Sequence, residues 1–404
     1  MSAIVQNKQG LKVLAAGSIL QLFLGILYVW SVFVMPVSEA YQLDISAVKL
    51  MTSFMLSFFV VGILTGGKLL LKTGTQKVVL CGGLMLSAGM LVSAFLPQGP
   101  LARFMYLSYG IIGGFGVGAG YNAIITAVQK WFPLNRGFAT GVVICAFGFS
   151  TVVFAPLIEI LVFQFEVRNT FMILAAGFFV VVLALFHFIR LPDSTQTTAA
   201  SEALLAKKQY ALTETIKTKE FYFITVSLML ATAAFFILNP SFKTLALERG
   251  LDYSIGTVVV MLTGVANALG RLVVPLLSDK IGREKAVVTI MLATAVCSAC
   301  LIFAEGFLFI GTVMIIAFCF GGYPGIYAVL AGDYFGIKNV GSNYGAIMVG
   351  FAVSALTFPM LFSLITDTTT KFILLAAFAA VGAKFITLLM VAKERKNEKI
   401  TDGQ

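Results

Sequence analysis

Residues 264–285 read GVANALGRLVVPLLSDKIGREK, an apolar run that closes in a charged turn. Arg271 sits inside the apolar part, eight residues before Asp279. In a helix that separation puts it about 12 Å from the charged end. An arginine at such depth in a bilayer costs from about 3 to over 10 kcal/mol unless water or an anion reaches it. A chain tolerates it where it faces an aqueous cavity. Arg271 is therefore the candidate anion-binding centre.

The rest of the composition makes the bilayer the right reference. Of 404 residues, 59% are hydrophobic and 11% charged, against about 25% charged in a soluble domain. The apolar runs are continuous and about twenty residues long, which predicts helices rather than the alternating strands of a barrel. The 38 glycines fit closely packed membrane helices. The net charge of +10 is scattered over short loops, which suits membrane orientation and not nucleic-acid binding. The first apolar run is too long for a signal h-region and is read as the first span. The five cysteines all lie in apolar segments. Cys297 and Cys300 form a CxxC with no second pair, so no metal or redox centre is expected.

Twelve spans are predicted, at 11–35, 47–71, 77–97, 102–128, 137–163, 170–191, 220–246, 255–279, 284–304, 307–332, 342–366 and 370–392. The fold class is all-α membrane protein in two six-helix halves. Residues 1–191 form the first half, 192–219 a polar cytoplasmic linker, and 220–404 the second half with a cytoplasmic tail. With both termini cytoplasmic, twenty basic residues fall on the inner side. Six fall on the outer side: Lys49, Arg103, Arg168, Lys243, Arg249 and Lys371. That asymmetry sets the orientation in a cell (inner or plasma) membrane.

The halves repeat each other. LLKTGTQKVV at 70–79 matches SDKIGREKAV at 278–287, and KWFPLNRG at 130–137 matches DYFGIKNVG at 333–341. Two related halves predict a binding site near the midplane. On this offset Arg271 corresponds to Ile63, so the charge belongs to one half only.

These residues carry a family resemblance. SDKIGREK (278–285) resembles the cytoplasmic loop signature of the major facilitator superfamily, with Leu71 standing in the first copy where the family has an aspartate. YNAIITAVQKWFPLNRGFATG (121–141) and the arginine of ALGRLVVP are similar to the oxalate/formate antiporter and monocarboxylate transporter branch. The resemblance covers nearly the whole chain. It implies small carboxylates as substrates, with Arg271 as one of the oxalate carrier's two cations. The other falls at Phe351, so a single charge suits a monoanion whose apolar tail Phe351 would cover. In proton-coupled animal carriers an aspartate precedes the arginine by four residues; here Asn267 takes that place and cannot titrate. The family arrangement also puts Tyr28, Tyr121, Asn122, Tyr323 and Tyr327 along the cavity, and Asp279 and Arg283 at the cytoplasmic gate.

Each of these has a plainer reading. Tyr121 and Asn122 suit interhelical hydrogen bonding, and the tyrosines and Phe351 suit packing. Lys384 can snorkel to the headgroups. GGFGVGAG (113–120) lies inside an apolar span with no preceding strand, so it is read as helix packing and not a dinucleotide loop. His187, the single histidine, has no nucleophile or metal cluster around it. The expectation is a transporter and not an enzyme, without a cofactor and working as a monomer. Its partners would be the lipid bilayer, a small carboxylate, and a coupled proton or counter-anion. It lacks a GxxxxGK[ST] loop, so gradients would supply the energy. The alternatives are a dicarboxylate or other organic-anion exchanger and a non-transporting membrane anion sensor.

Overall fold

The computed structural model describes residues 8–192, 206 and 208–401. Part of the predicted linker lies outside these described residues. The described secondary structure is helical throughout. In chain order the long helices are α1 (Lys8–Tyr41), α2 (Ile45–Thr73), α3 (Thr75–Ala94) and α4 (Pro100–Trp131). The stretch Arg136–Leu185 is continuous by hydrogen bonding but turns at Glu166 (φ 61°, ψ 168°). It is therefore two helices, α5 before the turn and α6 after it. Then come α7 (Lys219–Leu238), α8 (Tyr253–Ile281), α9 (Arg283–Cys300), α10 (Gly306–Phe335), α11 (Val340–Ser363) and α12 (Thr368–Thr401).

Among the described residues, ten stretches are long and apolar enough to cross a bilayer. Dividing Arg136–Leu185 adds one. The twelfth helix, α9, opens on Arg283, Glu284 and Lys285, and so reads as less apolar than its neighbours. Two helices depart locally from α geometry. α1 tightens to a 3₁₀ turn over Gly25–Val29, and α4 begins with a 3₁₀ turn, Pro100–Phe104, followed by a π-helical stretch, Tyr106–Gly113.

The chain divides into two compact units, Met1–Gln209 with Gly336–Ala346, and Tyr210–Phe335 with Ile347–Gln404. In the first unit, glycines bring α2 and α4 to backbone distance. A methyl at Gly114 would lie 2.6 Å from the Met55 carbonyl, and one at Gly118 would overlap the carbonyl of Phe59. Trp30, Phe33, Tyr109 and Phe171 stack in its core. In the second unit, Phe242, Phe309, Phe362 and Phe372 belong to one buried cluster. There α8 lies on the glycine face of α10, with Gly322 against Val274 and Gly325 against Pro275, each at 2.6 Å for a methyl.

The repeat seen in the sequence has a backbone counterpart. Gly74 (φ 82°, ψ 163°) and Gly282 (φ 94°, ψ 147°) occupy equivalent places between α2 and α3 and between α8 and α9. Each amide closes the preceding helix at 3.1 Å, Gly74 N–H to the Leu70 carbonyl and Gly282 N–H to that of Ser278.

Candidate anion-binding site

Arg271 is on α8 and only 5% exposed. Its Nε–H donates to Oδ1 of Asn267 at 2.9 Å, one helical turn earlier. Asn267 is itself pinned, because a methyl on Gly321 of α10 would overlap its carbonyl. The arginine therefore has a fixed root and an oriented Nε. The Nη1–Nη2 edge of a guanidinium has the geometry for a forked pair with a carboxylate.

The second unit also holds Phe351, 4% exposed, edge-on to Phe236 (5.0 Å, 78°) and tilted against Phe320 (6.0 Å). α7, α10 and α11 each give one ring to this aromatic wall. Phe320 directly precedes Gly321, which seats Asn267. Tyr323 and Tyr327 of α10 are fully buried. The Tyr323 hydroxyl pairs with Thr294 of α9 at 3.1 Å, and that of Tyr327 with Ser227 of α7 at 2.7 Å.

In the first unit the structure brings Tyr28 and Tyr121 onto one ring. Phe147 of α5 is edge-on to both, at 5.5 Å and 4.9 Å. Tyr28 lies in the 3₁₀ turn of α1, and the Tyr121 carbonyl accepts from Gln21 at 3.2 Å. Asn122 faces elsewhere. Its Nδ2 donates to the carbonyls of Ile63 (2.7 Å) and Gly341 (2.8 Å), joining α4 to α2 and to the start of α11. Ser342 donates to the Gly67 carbonyl at 2.8 Å beside it.

Asp279 and Arg283 are ion-paired at the α8–α9 turn. Arg283 also donates to Ser278 Oγ at 2.7 Å and lies 3.4 Å from Asp333. Sequence reading missed Asp333, and it missed the neighbouring ion pair of Glu284 with Lys393 at 2.6 Å, to which Tyr334 adds a hydrogen bond at 3.0 Å. The signal available was the acid of DYFGIKNVG at the end of α10. Ser227, Thr294, Phe236 and Phe320 were also missed, since hydroxyls and phenylalanines are ordinary in membrane helices.

Comparison with known proteins decides the family. The Major Facilitator Superfamily model matches residues 15–359 and 224–404. The chain belongs to the major facilitator superfamily. It is thus a membrane transporter, and its similarity is to the oxalate/formate and monocarboxylate branch. It is 26% identical over 84% of its length, and 84% of the relative's, to the "Uncharacterized MFS-type transporter YhjX" of Escherichia coli. It is 25% identical to the "Oxalate:formate antiporter" of Oxalobacter formigenes, covering 82% of this chain and 79% of that one. It is 26% identical to "Monocarboxylate transporter 12" of Rattus norvegicus over 81% and 73% of the two chains. Solved facilitator structures share the fold. The proton:xylose symporter XylE has a TM-score of 0.68 at 15% identity, covering 93% of this chain and 95% of its own. FucP also scores 0.68, at 16% identity and 94% and 99% coverage.

Proposed function

We propose that this facilitator carries small organic monocarboxylates of the lactate, acetate or formate type, by alternating access, with the carboxylate paired to Arg271. The observation that carries the reading is a buried guanidinium whose neighbour one turn back is a neutral amide. Asn267 orients the guanidinium through a neutral hydrogen bond, and a charge-assisted pair with an incoming carboxylate would be stronger than that bond. A paired charge can be enclosed at far lower cost than an unpaired one. Neutralisation by substrate therefore favours closure of the loaded carrier. The rings of Phe351, Phe236 and Phe320 suit the apolar tail of a monoanion. On the first unit, Tyr28 and Tyr121 are the candidates for donating hydrogen bonds to the passing anion. Asp279 and Arg283 serve the gate, and both termini lie on the cytoplasmic side, as the basic residues argue.

The test is uptake of labelled formate, acetate, lactate and oxalate into proteoliposomes, with and without a pH gradient and with and without internal substrate. Arg271→Gln should abolish uptake while the purified protein keeps its wild-type melting temperature and elution profile. Full transport by that variant would refute the pairing. A second reading, exchange of a dianion, draws on the printed activity of the Oxalobacter relative. Oxalate uptake that needs internal formate would establish it.

A further inference from the structure

The two buried tyrosines of α10 carry an inference that rests on the Arg271 reading and extends it. A phenol has one proton to donate. Ser227 Oγ–H already donates to the Ile224 carbonyl of its own helix at 2.8 Å, and Thr294 Oγ–H to that of Ile290 at 2.8 Å. With those protons on the carbonyls, the phenols are the donors left in each pair: Tyr327 to Ser227 Oγ, and Tyr323 to Thr294 Oγ, with the Ile290 carbonyl a second acceptor at 3.5 Å. Neither phenol has a donor left for a carboxylate.

Their place on the helix agrees. At about 100° per residue, Gly321, Gly322 and Gly325 centre on one side of α10. Tyr323 and Tyr327 centre about 170° away from them. The glycine side is the seat of α8, where it touches Asn267, Val274 and Pro275 and lies 3.7 Å from the Arg271 carbonyl for a methyl at Gly325. The opposite side is tied by hydroxyl pairs to α7 and α9.

We propose that Ser227 and Thr294 are positioning residues of the anion site. Through Tyr327 and Tyr323 they fix the rotation of α10, and so the seat from which α8 presents Asn267 and Arg271. The tyrosines act as struts and do not touch the substrate.

The experiment compares Ser227→Ala, Tyr327→Phe and their double variant, then Thr294→Val, Tyr323→Phe and theirs. Each is read as half-saturation and maximal uptake of the transported carboxylate per folded carrier. Half-saturation should rise about three- to tenfold for each member of a pair. The double should be no worse than either single, and Ser227→Thr should restore the wild-type value. Tyrosine variants that fail while Ser227→Ala and Thr294→Val behave as wild type would overturn the proposal in favour of direct ligation. A lowered melting temperature with unmoved half-saturation would overturn it in favour of bare packing. Hydrogen–deuterium exchange of the α8 peptide holding Asn267 and Arg271 separates this from the functional reading, because it needs no substrate. Faster exchange is expected in Ser227→Ala and Thr294→Val even if Arg271→Gln still transports, and unchanged exchange overturns the strut whatever that variant does.

Discussion

In the proposed site, Asn267 sets what Arg271 can do. Its amide oxygen accepts the Nε–H and keeps the same form at every pH, which a carboxylate in its place would not. Asn267→Asp changes one functional group and reverses that logic. A carboxylate one turn away would pair with the arginine and compete with the substrate. Half-saturation should rise about tenfold at neutral pH, the difference between a neutral and a charge-assisted hydrogen bond. Lowering the pH should relieve it, since protonating the new acid returns the arginine to the substrate. Uptake against pH, compared with wild type, checks this; a flat profile with unchanged half-saturation would disprove the competition. At this scale the sequence was legible only where it broke its own pattern. An arginine within an apolar run is conspicuous. The partners of Asn122, two main-chain carbonyls, leave no mark in any alphabet of side chains, and neither do the hydroxyl pairs of Ser227 and Thr294.

Helices were easier to read than their contacts. Apolar length gave all twelve, including α9 with its charged start, because period and length survive a few polar residues. The 3₁₀ turn in α1 and the π stretch in α4 were not legible; both answer to neighbours, as where Gly25 packs against the Phe147 carbonyl. Glycine spacing on α4 did forecast close approach, and it makes a stability prediction. Gly118→Ala would drive a methyl into the Phe59 carbonyl and should destabilise the first unit by about 1–3 kcal/mol. A clear drop in melting temperature in detergent is the expected result, and an unchanged melt would mean the helices part freely. α12 offers a second, milder case. The Asp367 carboxylate accepts from the Thr370 hydroxyl, from Thr370 N–H at 2.7 Å and from Thr369 N–H at 3.4 Å. The Thr370 side-chain bond, then its backbone bond, hold the Asp367 pKa below the usual value. The cap is therefore fully present above the unfolded carboxyl's pKa and is lost as pH falls through the lower folded value. Asp367→Asn should melt slightly below wild type at neutral pH and converge with it in acid, which thermal scans across pH would show.

For the whole molecule, the repeat offset read from loop letters reappears as matched backbone at Gly74 and Gly282. The division into units was less legible. Sequence puts α11 in the second half. The structure groups its first residues, Val340–Ala346, with the first unit, where Asn122 and Gly67 take hold of Gly341 and Ser342. The residues ahead of that boundary, Gly341-Ser342-Asn343-Tyr344-Gly345, are polar and glycine-rich, but they lie inside a helix and so do not read as a linker. Charge is also unequally shared. The level that holds Arg271 in one repeat holds Ile63 in the other, and there the Ile63 carbonyl serves as an anchor for Asn122.

The paired turns at Gly74 and Gly282 imply a bound on how this chain can drift. Their torsions, φ 82° and 94° with ψ 163° and 147°, suit a residue without a side chain and strain any other by about 1–3 kcal/mol. A saturation library sorted for surface-expressed, folded protein should retain a single letter at both places. The neighbouring Leu71 site, 56% exposed, should accept many. Between copies that have already lost each other's charges, the turn with nothing on it would be the last feature to remain the same.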